Sequence, residues 1–205
     1  MKKAPSQPCM CANAILLLAL VCSGCASHSY AKRQFVLEAT RPAQPAGPSH
    51  EVVLAVRRFT IDPAYDSRGL LYRKGKSEYE SDFYNEFLIA PQDLISSQTR
   101  NWLAQSGLFK MVLEPGSLVE PTHILEGNVL ALYGDFRGQS LPQAVVEIRI
   151  FVVTSRSSRP EVVFTRDYRA SQQAKERTAD ALVAALNQCL AQILSELEED
   201  LGKVL

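Results

Sequence analysis

Cysteines and histidines are the side chains of this 205-residue sequence that could carry redox, nucleophilic or metal chemistry. Cys22-Ser23-Gly24-Cys25 has the two-residue spacing of a thiol–disulfide or zinc pair. It sits, however, at the end of an apolar run from Ala14 to Cys22, where neither chemistry has a scaffold. The histidines do not converge. His28 falls in a polar tether, His50 closes a Pro-rich connection, and His123 belongs to a strand, where a half-buried or edge position is expected. No spacing gathers them as metal ligands. The acidic run Glu196, Glu198, Glu199 and Asp200 reads as the solvated face of a helix end, opposed to the helix dipole by a few tenths of a kcal/mol each. Gly-x-Ser-x-Gly, His-Glu-x-x-His, phosphate-loop and dinucleotide signatures are missing. The expectation is a non-enzymatic protein with no catalytic residues, no metal and no cofactor.

Cys25 suits a third chemistry, acceptance of a lipid. Lys2 and Lys3 precede an apolar core that is far short of the roughly 20 residues needed to span a bilayer. Small residues at Ser23 and Gly24 let the chain lie extended in a peptidase cleft. The arrangement resembles the lipobox of bacterial lipoproteins, with Cys22 where Leu is usual. Residues 1–24 are then a signal peptide and Cys25 the lipidated first residue. The rival reading is cleavage after Ala26 and release of a soluble protein. By analogy with enterobacterial sorting, Ala26 in place of Asp favours the outer membrane. Processing would leave Cys189 as the one free thiol, and its place on an apolar helix stripe suits a small hydrophobe.

Residues 25–205 suffice for one domain with a real core. Loss of Lys2 and Lys3 leaves 20 basic against 22 acidic residues, with no basic block, so nucleic acid is not an expected partner. Residues 25–50 comprise the lipidated N-terminus, a short strand over 34–38 and the Pro-rich connection 41–50. The folded body runs from 51 to 205. Alternation predicts strands over 51–59, 108–113, 122–133, 143–153 and 161–170, and a hairpin of 70–73 with 78–84. In 143–153, Ala144, Val146, Ile148, Ile150 and Val152 share one face. Pro91 opens a helix that Gly107 ends. A long helix over 172–201 carries Ala179, Val183, Leu186, Leu190, Ile193 and Leu197 at steps of 4 and 3. That stripe fits sheet packing better than a coiled-coil seam. The fold class is α/β of the α+β type: a single domain in which two helices cover a mainly antiparallel mixed sheet.

One segment interleaves aromatic and charged residues. Tyr65, Tyr72, Tyr79, Phe83, Tyr84 and Phe87 alternate with Arg68, Arg73 and neighbouring Lys and Glu. Such a mixture suits a contact surface for a partner or a second copy. It equally suits a strand whose phenylalanines fill the core, and both readings stand.

Several stretches together resemble the ABC-type transport auxiliary lipoprotein family. They are Leu54-x-Val56-x-x-Phe59, Pro63-x-Tyr65-Asp66-x-Arg68-Gly69-Leu70-Leu71-Tyr72-Arg73 and the run Tyr79 to Phe87. Further on come Pro91, Trp102-Leu103-x-x-Ser106-Gly107-Leu108-Phe109, Leu125-x-Gly127 and Ala185-Leu186-Asn187. The resemblance implies an accessory component of an envelope transport system. Its implied partners are an ABC transporter and a periplasmic protein with MCE domains, moving lipids or other hydrophobic molecules. It suggests an outer-membrane docking adaptor facing the periplasm, held by the lipid on Cys25, with a homo-oligomer as one arrangement. Two other functions compete: direct binding of a lipid or hydrophobic ligand, and activation of an envelope enzyme.

Overall fold

Alternating apolar residues build the sheet. The structure is a computed structural model that describes residues 31–42, 50–138, 140–155 and 159–205. The expected signal peptide, Cys25, His28 and most of the Pro-rich connection lie outside the described residues. Lys32–Leu205 is one compact unit. Its strands are β1 (Arg33–Phe35), β2 (His50–Val56), β3 (Thr60–Ile61), β4 (Gly69–Arg73), β5 (Tyr79–Phe87), β6 (Phe109–Leu113), β7 (His123–Asp135), β8 (Gln143–Thr154) and β9 (Val162–Gln173). Helix α1 (Pro91–Ser106) follows β5, and α2 (Ala179–Val204) closes the chain.

The expected α+β class holds. Long antiparallel ladders join β7 to β8 and β8 to β9. On its other edge β7 takes β2, β3 and β4 in succession, all parallel. Beyond these, β6 pairs with β2, β5 pairs antiparallel with β4, and β1 pairs in parallel with β5. In β8, Ala144, Val146, Ile148, Ile150 and Val152 are buried as alternation predicts. The opposite face is laced by Arg149 with Asp167 and Arg169 with Glu147.

Helix α2 lies on β8 and β9 with Val183, Leu186, Leu190, Ile193 and Leu197 buried, so its stripe packs on the sheet. Each such side chain contributes about 1.5–3 kcal/mol of burial. Cys189 is among them, its thiol pushed up to about 12 by burial. The helix starts at Ala179 instead of 172, because β9 stays paired with β8 as far as Gln173 and Thr178 caps the Ala181 N–H. Strand β3 was too short to show a period. His123 is half-buried, with Nδ1 2.9 Å from the Thr122 hydroxyl.

The first strand also ends earlier than alternation suggests, at Phe35 instead of Glu38. Past it, the backbone N–H groups find side chains on the two helices. Glu38 donates to Asn187 of α2 at 3.0 Å, and Ala39 donates to Gln98 of α1 at 3.2 Å. Leu37, just ahead of them, is in the core. Arg41 then grips Glu198 through Nε at 2.8 Å and a terminal nitrogen at 2.6 Å.

That contact corrects the reading of the acidic helix end. Glu198 also accepts from Trp102 Nε1 at 2.7 Å, and Asp200 accepts from Tyr168 at 2.8 Å and from Arg166. Their side chains are only 14% and 15% exposed. Glu199 alone of the run is an exposed residue. The cause is tertiary: Arg41, Trp102, Arg166 and Tyr168 reach the helix from distant parts of the chain.

Candidate contact surface

The aromatic segment forms the β4–β5 hairpin, whose turn is closed by Lys74 N–H donating to the Glu78 carbonyl at 2.9 Å. Strand alternation deals its aromatic residues to opposite faces. The structure therefore separates the expected contact residues into distinct environments.

Near the hairpin tip, on the sheet face turned away from the helices, Tyr65 stacks on Tyr133 with ring centres 5.9 Å apart. Tyr79 meets both edge-on, at 6.0 and 5.6 Å. The Arg73 guanidinium lies 5.7 Å from the Tyr79 ring centre and 5.9 Å from that of Tyr133, and donates to the Lys76 carbonyl at 2.8 Å. Ala131, Val145 and Leu71 form the apolar floor. Burial, then the Tyr79 contact, pushes the Tyr65 phenol well above its ordinary pKa. Tyr133 is the member that sequence reasoning missed, because it comes from β7, sixty residues away in effect and outside the aromatic segment. Beside the cluster Asp135 binds Arg137 at 2.6 Å, which holds its carboxyl below the usual range.

Tyr72 lies on the other face. Its ring packs on Phe136 at 4.8 Å, Lys74 sits over both rings, and its hydroxyl donates to Asp82 at 2.6 Å. Phe87 is 2% exposed, a core residue and not a contact residue. Arg68 is engaged within the fold: it donates to the Phe87 carbonyl at 3.0 Å and to Glu86 at 2.9 Å. Lys32 and Gln34 join the same Glu86 carboxylate, each at 3.1 Å. Of Tyr72, Arg68 and Phe87, only Phe87 is withdrawn from the surface by burial; Tyr72 stays half-buried and the Arg68 side chain 46% exposed while they make these bonds within the fold.

Phe83 and Tyr84 occupy a bulge. The β4–β5 register slips between Gly69 and Leu71, opposite residues 81–86. Asp82 organises the extra residues, accepting from the Tyr84 and Asn85 backbone at 2.8 and 3.0 Å and from the Asn85 amide at 2.8 Å. Burial alone would raise the Asp82 pKa, but the hydrogen bonds from Tyr72, Asn85 and the backbone outweigh it and hold the carboxyl low. Gly69 permits the close approach, since a Cβ there would stand 2.7 Å from the Asp82 carbonyl. The rings of Phe83 and Tyr84 are thereby turned outward, 69% and 48% exposed. The signal for this bulge was present in Asp82-x-x-Asn85, a pattern that favours local side-chain-to-backbone bonds.

Among the described residues no three His, Cys, Asp or Glu side chains gather as a metal site, and no helix is long and apolar enough to cross a membrane. The space enclosed between the hairpin, β7 and α2, lined by Leu70, Leu132, Leu182 and Leu186, holds about 10 Å³, room for one water.

A mixed sheet with two helices packed against it, the longer of them closing the chain, defines a single α+β domain. The family model described as ABC-type transport auxiliary lipoprotein component matches residues 35–198, and the chain belongs to that family. Among solved structures, protein XCC0632 from Xanthomonas campestris is similar, with 22% identity and a TM-score of 0.70 over 80% of this chain and 92% of that one. A second structure, of an uncharacterized protein, has 14% identity and a TM-score of 0.64 over 83% of this chain and 99% of that one. At these identities the likeness is one of fold. No curated protein matches the chain.

Proposed function

We propose that this protein is a lipid-anchored, non-catalytic accessory component of an ABC/MCE-type envelope transport system. It acts as an outer-membrane docking adaptor on the periplasmic side, in the movement of lipids or other hydrophobic molecules. The observation that supports this reading best is the Tyr65–Tyr79–Tyr133 cluster with Arg73 over it. Three large rings on an apolar floor, topped by a cation, have the composition of an interface hot spot. Cys25 is the proposed point of lipid attachment. The competing idea of a ligand held between sheet and helix has little enclosed room, about 10 Å³ beneath the hairpin; its place would be the open groove of about 340 Å³ where Gln173 meets Ala181, Ala184 and Gln188 of α2.

The test is site-specific photocrosslinking from position 79 in intact envelopes, with Cys25→Ala as the companion variant. Recovery of an MCE-domain protein from position 79 supports the adaptor, and recovery of none refutes it. The Cys25→Ala protein should fold and leave the membrane fraction. If it still fractionates with membranes by itself, the anchor assignment is wrong.

A further inference from the structure

Phe83 and Tyr84 are presented by the fold. Burying a phenylalanine is strongly favourable, yet the Asp82 bulge, its bonds to Tyr72 and Asn85 and the clearance at Gly69 hold this one 69% exposed. The two rings meet edge-on at 5.2 Å. The Lys32 ammonium lies 4.8 Å from the centre of the Phe83 ring and 3.1 Å from Glu86, with its side chain still 46% exposed. Lys32 is also where the chain arriving from Cys25 enters the domain, just ahead of β1. The residues from Ala26 to Lys32 can reach no more than about 25 Å when fully extended. Whatever surface holds Cys25 therefore lies within about 25 Å of Lys32.

We infer that Phe83 and Tyr84, with Lys32 beside them, bed into the head-group region of the bilayer leaflet that holds the acyl chains of Cys25. Aromatic rings are favoured at that depth, and an ammonium group there meets lipid phosphates. A lipid chain with a second, weaker membrane contact is also how peripheral anchors become stable. The contact would fix orientation as well. From Tyr84 back to Tyr79 the strand advances about 17 Å, so the tyrosine cluster at the hairpin tip is carried away from the bulge. This inference rests on lipidation of Cys25, and the experiment separates the two.

The full chain, purified with its lipid, is reconstituted in phosphatidylethanolamine–phosphatidylglycerol vesicles with and without brominated acyl chains. Phe83→Trp is the probe, and Trp102, 3% exposed in the core, supplies a constant background. Leu118→Trp is the comparison, because Leu118 is fully exposed beyond β6, at the opposite end of the strand order from β1. For the F83W protein the emission should shift to the blue and be quenched on brominated vesicles well beyond that of L118W, as expected for a ring at the head-group boundary. L118W should change little. F83W protein that sediments with vesicles but is quenched no more than L118W overturns the inference while leaving the anchor standing. Protein that fails to sediment overturns both. A blue shift that follows protein concentration without quenching assigns the bulge to a second copy and also overturns it.

Discussion

Arg41 and Glu198 form a two-pronged ion pair, at 2.6 and 2.8 Å, that fastens the N-terminal segment to the end of the last helix. Their side chains are 9% and 14% exposed, so this pair is shielded in a way surface pairs are not. Removing one partner would strand the other charge, with Trp102 Nε1 still pointed at Glu198. Arg41→Ala should therefore cost about 3 kcal/mol, read from denaturant unfolding. Arg41→Lys should recover only part of it, since an ammonium cannot make the parallel bonds. Hydrogen exchange at Glu38 and Ala39 should accelerate in both variants; unchanged protection would mean the segment is held by Leu37 alone.

The Asp82 carboxylate gives the bulge a pH dependence. Its folded pKa lies below the ordinary value near 3.9, because Tyr72, Asn85 and two backbone amides donate to it. Its contribution is therefore complete above about pH 4 and disappears as pH falls through the lowered folded value. Asp82→Asn should lose about 1–2 kcal/mol at pH 7 and show a flatter acid limb than the parent. Equal losses for parent and variant between pH 5 and pH 2 would contradict the assignment.

Gly127 faces the Phe59 ring, and a Cβ there would stand 2.5 Å from it. Both residues are in the core region between β3 and β7, where a neighbour cannot swing into solvent. Gly127→Ala should destabilise by about 1–3 kcal/mol, and Phe59→Leu in the same chain should restore much of that. Failure of the second substitution to help would show that the strand backbone, not the ring, sets the limit.

Cys189 should be chemically silent in the folded protein. Its thiol is fully buried, donates to the Ala144 carbonyl at 3.6 Å, and has its pKa pushed up to about 12. A maleimide at pH 8 should label it only after denaturation. Labelling of the native protein at the rate of a small thiol would reveal local opening of α2.

These variants also mark how far the sequence could be read. The β8 face was legible because five apolar residues alternate strictly over a strand buried on that side. The α2 stripe was legible for the same reason at helical spacing, although its start was placed seven residues early, where the pairing of Gln143 with Gln173 prevailed over helix propensity. The acidic helix end was misread because Glu198 and Asp200 acquire Arg41 and Arg166 only through tertiary structure. In the aromatic segment, residue types suggested a surface, yet only the register separates Tyr79 and Phe83 from buried Phe87. Tyr133 could not be added without knowing that β4 lies beside β7.

The N-terminal clasp has a mechanical meaning. Tension applied ahead of Lys32 runs along β1, whose hydrogen bonds to β5 lie across the line of pull and must be sheared together. Behind them stand the plug at Leu37 and the Arg41–Glu198 rivet, in series along the same strand of chain. A leash attached there can bear load without unzipping the sheet: drag on the domain meets the β1–β5 bonds first, and the long closing helix stands behind them.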